Sequence, residues 1–125
     1  MATTYGEYWS IPGLIASSSL SSGQYKPVKL SSTAGTVTAC SANTDVAIGV
    51  LMNDPGTGEP ADVAFAGLVV CYAEAAVTAG SYVCPSTTGR CVTTTDANDD
   101  AFGIAIDAAG AAGDLVRVIL SHFNY

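Results

Sequence analysis

Ala101-Phe102-Gly103-Ile104-Ala105-Ile106-Asp107-Ala108-Ala109-Gly110-Ala111-Ala112-Gly113-Asp114-Leu115-Val116 carries the pattern that organises this chain. An apolar run with a glycine inside it is followed by an acid, a glycine-bearing turn, a second acid and a valine-containing strand. The same order stands earlier, in Ala47-Ile48-Gly49-Val50 and then Asp54, Gly56, Gly58, Glu59 and Val63. Outward from there the echo continues. Leu20-Ser21-Ser22-Gly23-Gln24-Tyr25 resembles Val77-Thr78-Ala79-Gly80-Ser81-Tyr82. Gly35-Thr36-Val37-Thr38 resembles Gly89-Arg90-Cys91-Val92-Thr93 with one residue of slip. A conserved order of echoes within one chain is the mark of a repeated structural unit. The chain therefore reads as two related β-modules, about 20–70 and 77–121.

The texture from Leu20 onward is that of strands. Short runs rich in Val, Ile, Thr and Tyr are punctuated by Gly, Pro, Asn and Asp. Strands are expected at 24–30, 36–41, 47–52, 61–66, 68–73, 82–84, 90–95, 102–106 and 115–121. Many short strands with evenly spaced turns predict a mainly β fold, a small β-barrel or sandwich. Gly23 and Gly80 precede Tyr-bearing strands, where a tight turn calls for positive φ. Gly49 and Gly103 lie inside apolar strands, which points to a bend or a close backbone approach.

Residues 1–19 are different. They hold Tyr5, Tyr8, Trp9 and Ile11, then Pro12-Gly13 and a serine run, with no period of 2 or 3.6. They read as an extended N-terminal arm ahead of a single β domain, 20–125. Aromatic rings on an arm need cover, either from a partner or from the arm's own domain.

The bulk numbers exclude several functions. The 125 residues suit one domain able to bury its own core. Charged residues are only 12%, about half the usual share, so parts of the surface are weakly polar and suited to cover by another subunit. Net charge is -7, with only Lys26, Lys29, Arg90 and Arg117 basic. Phosphate binding needs clustered cations, so nucleic acid is not an expected partner. A polybasic membrane patch is missing for the same reason. The start of the chain has no basic residue before Lys26, and its apolar patch is broken by Pro12-Gly13. It therefore does not read as a secretory signal, and synthesis in a cytoplasm is expected.

Little in the sequence suggests catalysis. The sole histidine, His122, lies near the C-terminal Phe123 and Tyr125 without a spaced nucleophile. Gly56-Thr57-Gly58 lacks the lysine of a phosphate loop. The four cysteines, 40, 71, 84 and 91, form no Cys-x-x-Cys pair, so no zinc site is expected. Pairing 86 with 89 across the Pro85–Arg90 turn would set Cys84 opposite Cys91, either as a disulfide or as two reduced thiols. The Asp96–Asp100 turn is acidic enough for a cation, but it lacks the glycine and flanking helices of an EF-hand. No cofactor or metal is expected, and the chain does not read as an enzyme.

Several segments in order resemble the capsid cement, or decoration, proteins of tailed phages. They are Ala-Ile-Gly-Val at 47–50, an acid-Gly-Glu turn, Gly-Leu-Val-Val at 67–70, Val-Thr-Ala-Gly-Ser-Tyr-Val at 77–83, Gly-Arg-Cys-Val at 89–92, Ala-Phe-Gly-Ile-Ala at 101–105 and Gly-Asp-Leu-Val-Arg-Val at 113–118. The resemblance spans about 20–121. It implies a small β-rich protein bound to the outside of an assembled head, stabilising the major capsid protein lattice. It further implies a homotrimer and no catalytic site. On that reading Tyr5, Tyr8, Trp9 and Ile11 face the lattice, and Phe123 and Tyr125 pack at a subunit interface. The alternative is another virion or surface binding module, such as a fibre tip or a carbohydrate-binding domain, which would need an exposed aromatic platform.

Overall fold

The computed structural model describes residues 8–95 and 99–124, with side chains to Leu120. Ten strands follow in order: β1 Tyr8–Ser10, β2 Ile15–Ala16, β3 Lys26–Leu30, β4 Thr36–Ala39, β5 Gly49–Leu51, β6 Val63–Tyr72, β7 Tyr82–Pro85, β8 Cys91–Thr93, β9 Asp100–Ala105 and β10 Leu115–Asn124. They form one mixed sheet, ordered β2-β4-β3-β5-β6-β10-β9-β7-β8, with β1 also paired to β6. No helix occurs among the described residues. Among the described residues the sheet is not closed.

The duplication is explicit in the register. In the first half, Val28 pairs with Ala39 and Gly49, and Val50 with Ala64. In the second, Val83 pairs with Thr93 and Gly103, and Ile104 with Ile119. Hydrogen bonds outside the ladders repeat too. The amide of Met52 donates to Asp62 at 2.7 Å, as Ile106 does to Arg117 at 2.7 Å. Ala16 donates to Glu59 at 3.0 Å, as Ala73 does to Asp114 at 2.8 Å. The second acid of each echo closes its turn, Glu59 by accepting from the Gly56 amide and Asp114 from Ala111.

Ala16 and Ala73 are thus counterparts, and this corrects the sequence-based boundaries. Residues 8–19 do not stand apart as an arm. From Tyr8 onward they complete the first unit, as residues 65–76 complete the second. β1 lies on β6, β2 on β4, and the Ala61 amide donates to Leu14 at 2.9 Å. The cause is burial. Leu14, Ala16 and Leu20 fill the first core, and an apolar segment gains more by covering it than by standing in water. Met1 to Glu7, including Tyr5, lie outside the described residues.

Each unit surrounds its own core. The first holds Leu14, Ala16, Leu20, Val28, Val37, Leu51, Ala61 and Val63. Every one of these has a counterpart in the larger second core: Cys71, Ala73, Val77, Val83, Cys91, Ala105, Val116 and Val118. One strand serves both units. The expected strands 61–66 and 68–73 are continuous as β6, which turns at Gly67 (φ +103) from pairing with β5 to pairing with β10.

Gly49 and Gly103 mark equivalent close approaches. A Cβ on Gly49 would lie 1.9 Å from the Ala64 carbonyl oxygen, and one on Gly103 would lie 2.6 Å from that of Ile119. The expectation for Gly23 fails. Its φ is not positive, and the left-handed counterpart of Gly80 (φ +85) is Tyr25 (φ +66). The first unit has two more residues before this strand, Leu20 to Tyr25 against Val77 to Gly80. Yet the Tyr25 amide still donates to Leu51, at 2.6 Å, as Gly80 does to Ala105, at 2.7 Å.

Candidate functional site

Of the residues expected to touch a partner, three gather along β6. Tyr8 lies opposite Gly67, and Trp9 opposite Ala66. The Tyr8 ring packs against the larger core, and its hydroxyl donates to Asp62 Oδ2 at 2.9 Å. Burial first, then that hydrogen bond, raises the phenol's pKa, so Tyr8 serves as a neutral anchor. Trp9, on the other face, is 75% exposed. Tyr8, Trp9, Ala66 and Gly67 line a shallow cavity of about 380 Å³. Ile11 is half-buried on the first core and closes a second apolar hollow of about 460 Å³ with Pro12, Ile15 and Pro60. Antiparallel pairing fixes this backbone, so the indole is presented from a rigid base rather than a loop.

The Phe123 backbone pairs with Ala101 near the end of β10, and Tyr125 lies outside the described residues. Pattern reading missed the other exposed apolar side chains: Leu30, Val46, Phe65, Tyr82, Leu115 and Ile119. The signal for the last two was present in Leu115-Val116-Arg117-Val118-Ile119-Leu120. Alternation buries 116, 118 and 120 and leaves 115 and 119 outward beside Arg117.

The charged groups are mostly structural. Lys29 pairs with Asp45 at 3.0 Å and Arg117 with Asp107 at 2.9 Å. Asp45 also accepts the amides of Ser41 and Ala42, and the Ser41 bond is the largest influence holding its carboxyl below the usual range. The Arg117 guanidinium does the same for Asp107. Lys26 and Arg90 share a polar cleft of about 470 Å³ with Asp54, Gln24 and Tyr72.

The four thiols are free and buried. Burial pushes Cys40 up to about 12 and Cys84 up to about 11, and Cys71 upward with help from a hydrogen bond to Cys91. Protonated, enclosed thiols are poor nucleophiles. Cys84 is not opposite Cys91. Pro85 is, and Cys84 faces Val92. The Ser86 amide bonds Arg90 rather than residue 89, because left-handed Gly89 adds a residue to the turn. Asp96 to Asn98 lie outside the described residues, and Asp99 accepts the Thr95 amide as Asp45 accepts that of Ser41. Among the described residues, no group of three or more His, Cys, Asp or Glu side chains is placed to hold a metal.

A duplicated β domain with buried thiols and exposed apolar side chains is built for contact. Residues 24–120 match the family model of the phage cement proteins. The chain belongs to the phage cement protein family.

No curated protein matches this cement protein. Its fold resembles the crystal structure of the head fiber gp8.5 N base in bacteriophage phi29, with a TM-score of 0.67 and 19% identity over 93% of this chain and 94% of that one. The likeness covers a larger share of the chain than the 24–120 that the family model matches.

Proposed function

We propose that this cement protein, a structural protein of the phage virion, binds the outer face of the assembled head as a trimer and stabilises the major capsid protein lattice. The observation that carries this reading is Trp9, three-quarters exposed on a backbone clamped to β6. An aromatic anchor rimmed by sparsely charged surface is the usual energetic centre of a protein interface. Tyr8 and Ile11 set the indole's position, and Tyr5 adds a further aromatic side chain to the lattice contact. Phe123 and Tyr125 contribute to contacts between copies. Binding that occurs only to the assembled lattice favours that state by mass action, and three linked copies multiply weak contacts into avidity. The chain is made in the host cytoplasm and ends on the capsid exterior. Its charge of -7 disfavours nucleic acid as a partner.

Purified protein added to bare, expanded heads tests this. Saturable binding that raises the temperature at which the heads release their DNA supports it, and heads that stay bare and equally heat-labile overturn it. A second reading, a base that carries another appendage on the head, draws on the likeness to a head fiber base. It predicts that a further virion protein is lost from heads lacking this chain.

A further inference from the structure

The two units are equivalent in fold, but their surroundings are not. In the first, the outward row Pro27, Val50 and Ala64 is fully buried, and Val50 and Ala64 belong to the larger core. The second unit covers them. The loop after β4 lies on that unit's hairpin. Asn43 Nδ2 lies 3.8 Å from Cys84 Sγ, and the Asn43 carbonyl accepts the Asp100 amide at 3.0 Å. A Cβ on Gly89 would be 3.2 Å from the Cys40 carbonyl oxygen.

Both sides of this internal joint have open counterparts. The second unit's version of the covered row is Tyr82, Ile104 and Ile119, opposite one another on β7, β9 and β10. Opposed residues share a face of the sheet. Tyr82 is 37% exposed and Ile119 is 49% exposed, where Ala64 is at 0%. The first unit's version of the covering hairpin is equally open. Leu30 is 57% exposed where its counterpart Pro85 is buried, and Val46, the counterpart of Asp100, is 62% exposed. Gly35 is exposed where Gly89 is buried.

We infer that a second copy of this chain occupies the Tyr82–Ile104–Ile119 row, seating its Leu30–Val46 surface there as the second unit seats its own equivalent surface on the first within one chain. The occupant follows from the internal joint, which shows that this module already packs on a copy of itself by this face. Using different surfaces on the two partners makes the contact head-to-tail. Such contacts close into a ring when the rotation allows, and otherwise extend. This deepens the trimeric reading above, rests on it, and names its two contact surfaces.

Sedimentation of the full chain and two variants, Ile119→Lys and Val46→Glu, tests it. Wild type is expected at a multiple of 12.6 kDa, and each variant alone as a monomer. Mixed in equal amounts they should form capped dimers, because each retains the surface the other has lost. Both positions are exposed, so circular dichroism should match wild type. Should Ile119→Lys misfold, Ile119→Thr replaces it. A wild type that stays monomeric overturns the inference and the trimer together, and if it still coats heads the capsid reading stands. Variants that assemble like wild type overturn the named surfaces alone. Variants that turn monomeric but fail to complement each other overturn the head-to-tail arrangement.

Discussion

The first unit is flanked on its β5–β6 face by the second, while the second presents the same face to its surroundings. Their cores differ accordingly. Positions filled by Leu14, Val37 and Leu51 in the first are Cys71, Cys91 and Ala105 in the second, while Ala61 becomes Val116. Size is exchanged in both directions around one backbone, as close packing allows when total volume is kept. Polarity on the outer face changes much less. Val50 becomes Ile104 and Ala64 becomes Ile119, so the apolar row persists where intramolecular cover ends. An exposed face keeping the chemistry of its buried twin is the sign of a surface meant to be covered.

The comparison breaks most sharply at the two close approaches. Gly49→Ala drives a Cβ to 1.9 Å from backbone oxygen, so the strands must separate. A loss of about 4 kcal/mol is expected by urea unfolding, above the ordinary overpacking range. Gly103→Ala meets the Val118 side chain at 2.5 Å and backbone at 2.6 Å, and should cost about 2 kcal/mol. Equal losses would show that the second joint is as tight as the first.

Next is Trp9, whose counterpart Ala66 has no anchor to offer. Trp9→Ala should weaken binding to expanded heads by about 2 kcal/mol, roughly 30-fold in Kd, with the unfolding midpoint unchanged because the indole is exposed. Binding to heads is measured by co-sedimentation, and an unaltered Kd would move the lattice contact elsewhere.

The left-handed positions should behave in opposite ways. Gly80→Ala places a side chain at φ +85 and should cost about 1 kcal/mol. Tyr25→Gly relieves about the same strain but loses the tilted ring contact with Tyr72, centroids 6.1 Å apart. Its net change in thermal stability should be close to zero.

The last contrast concerns the loop acids. Asp45 gathers the Ser41 and Ala42 amides and Lys29, whereas Asp99 is joined to the Thr95 amide in the matching loop. The Asp45 carboxyl is depressed in the folded chain. The stability it contributes is therefore present above the unfolded carboxyl pKa of about 3.9 and is lost as pH falls through the lower folded value. Asp45→Asn should cost about 1 kcal/mol at pH 7, and the gap to wild type should narrow below pH 4. A gap unchanged with pH would mean the loss is one of shape rather than charge.

Much of this protein was written in its residue order. Strand-forming runs, turn acids and the repeated Ala-x-Gly-x pattern predicted an all-β, duplicated chain and the tight spots at Gly49 and Gly103, because those depend on local composition and alternation. Trp9 stood out for the same reason, being a large ring beside no apolar period. The start of the first unit was hidden, since Gly13-Leu14-Ile15-Ala16 and Val70-Cys71-Tyr72-Ala73 share little beyond one alanine. Their equivalence lies in hydrogen bonds to remote segments. The Cys84 register depended on one extra residue in a turn, and a slip of one residue changes which side chains meet. Which apolar row is covered and which is open was decided only when the two units packed together, because burial belongs to neighbours brought together from far along the chain rather than to any run of residues.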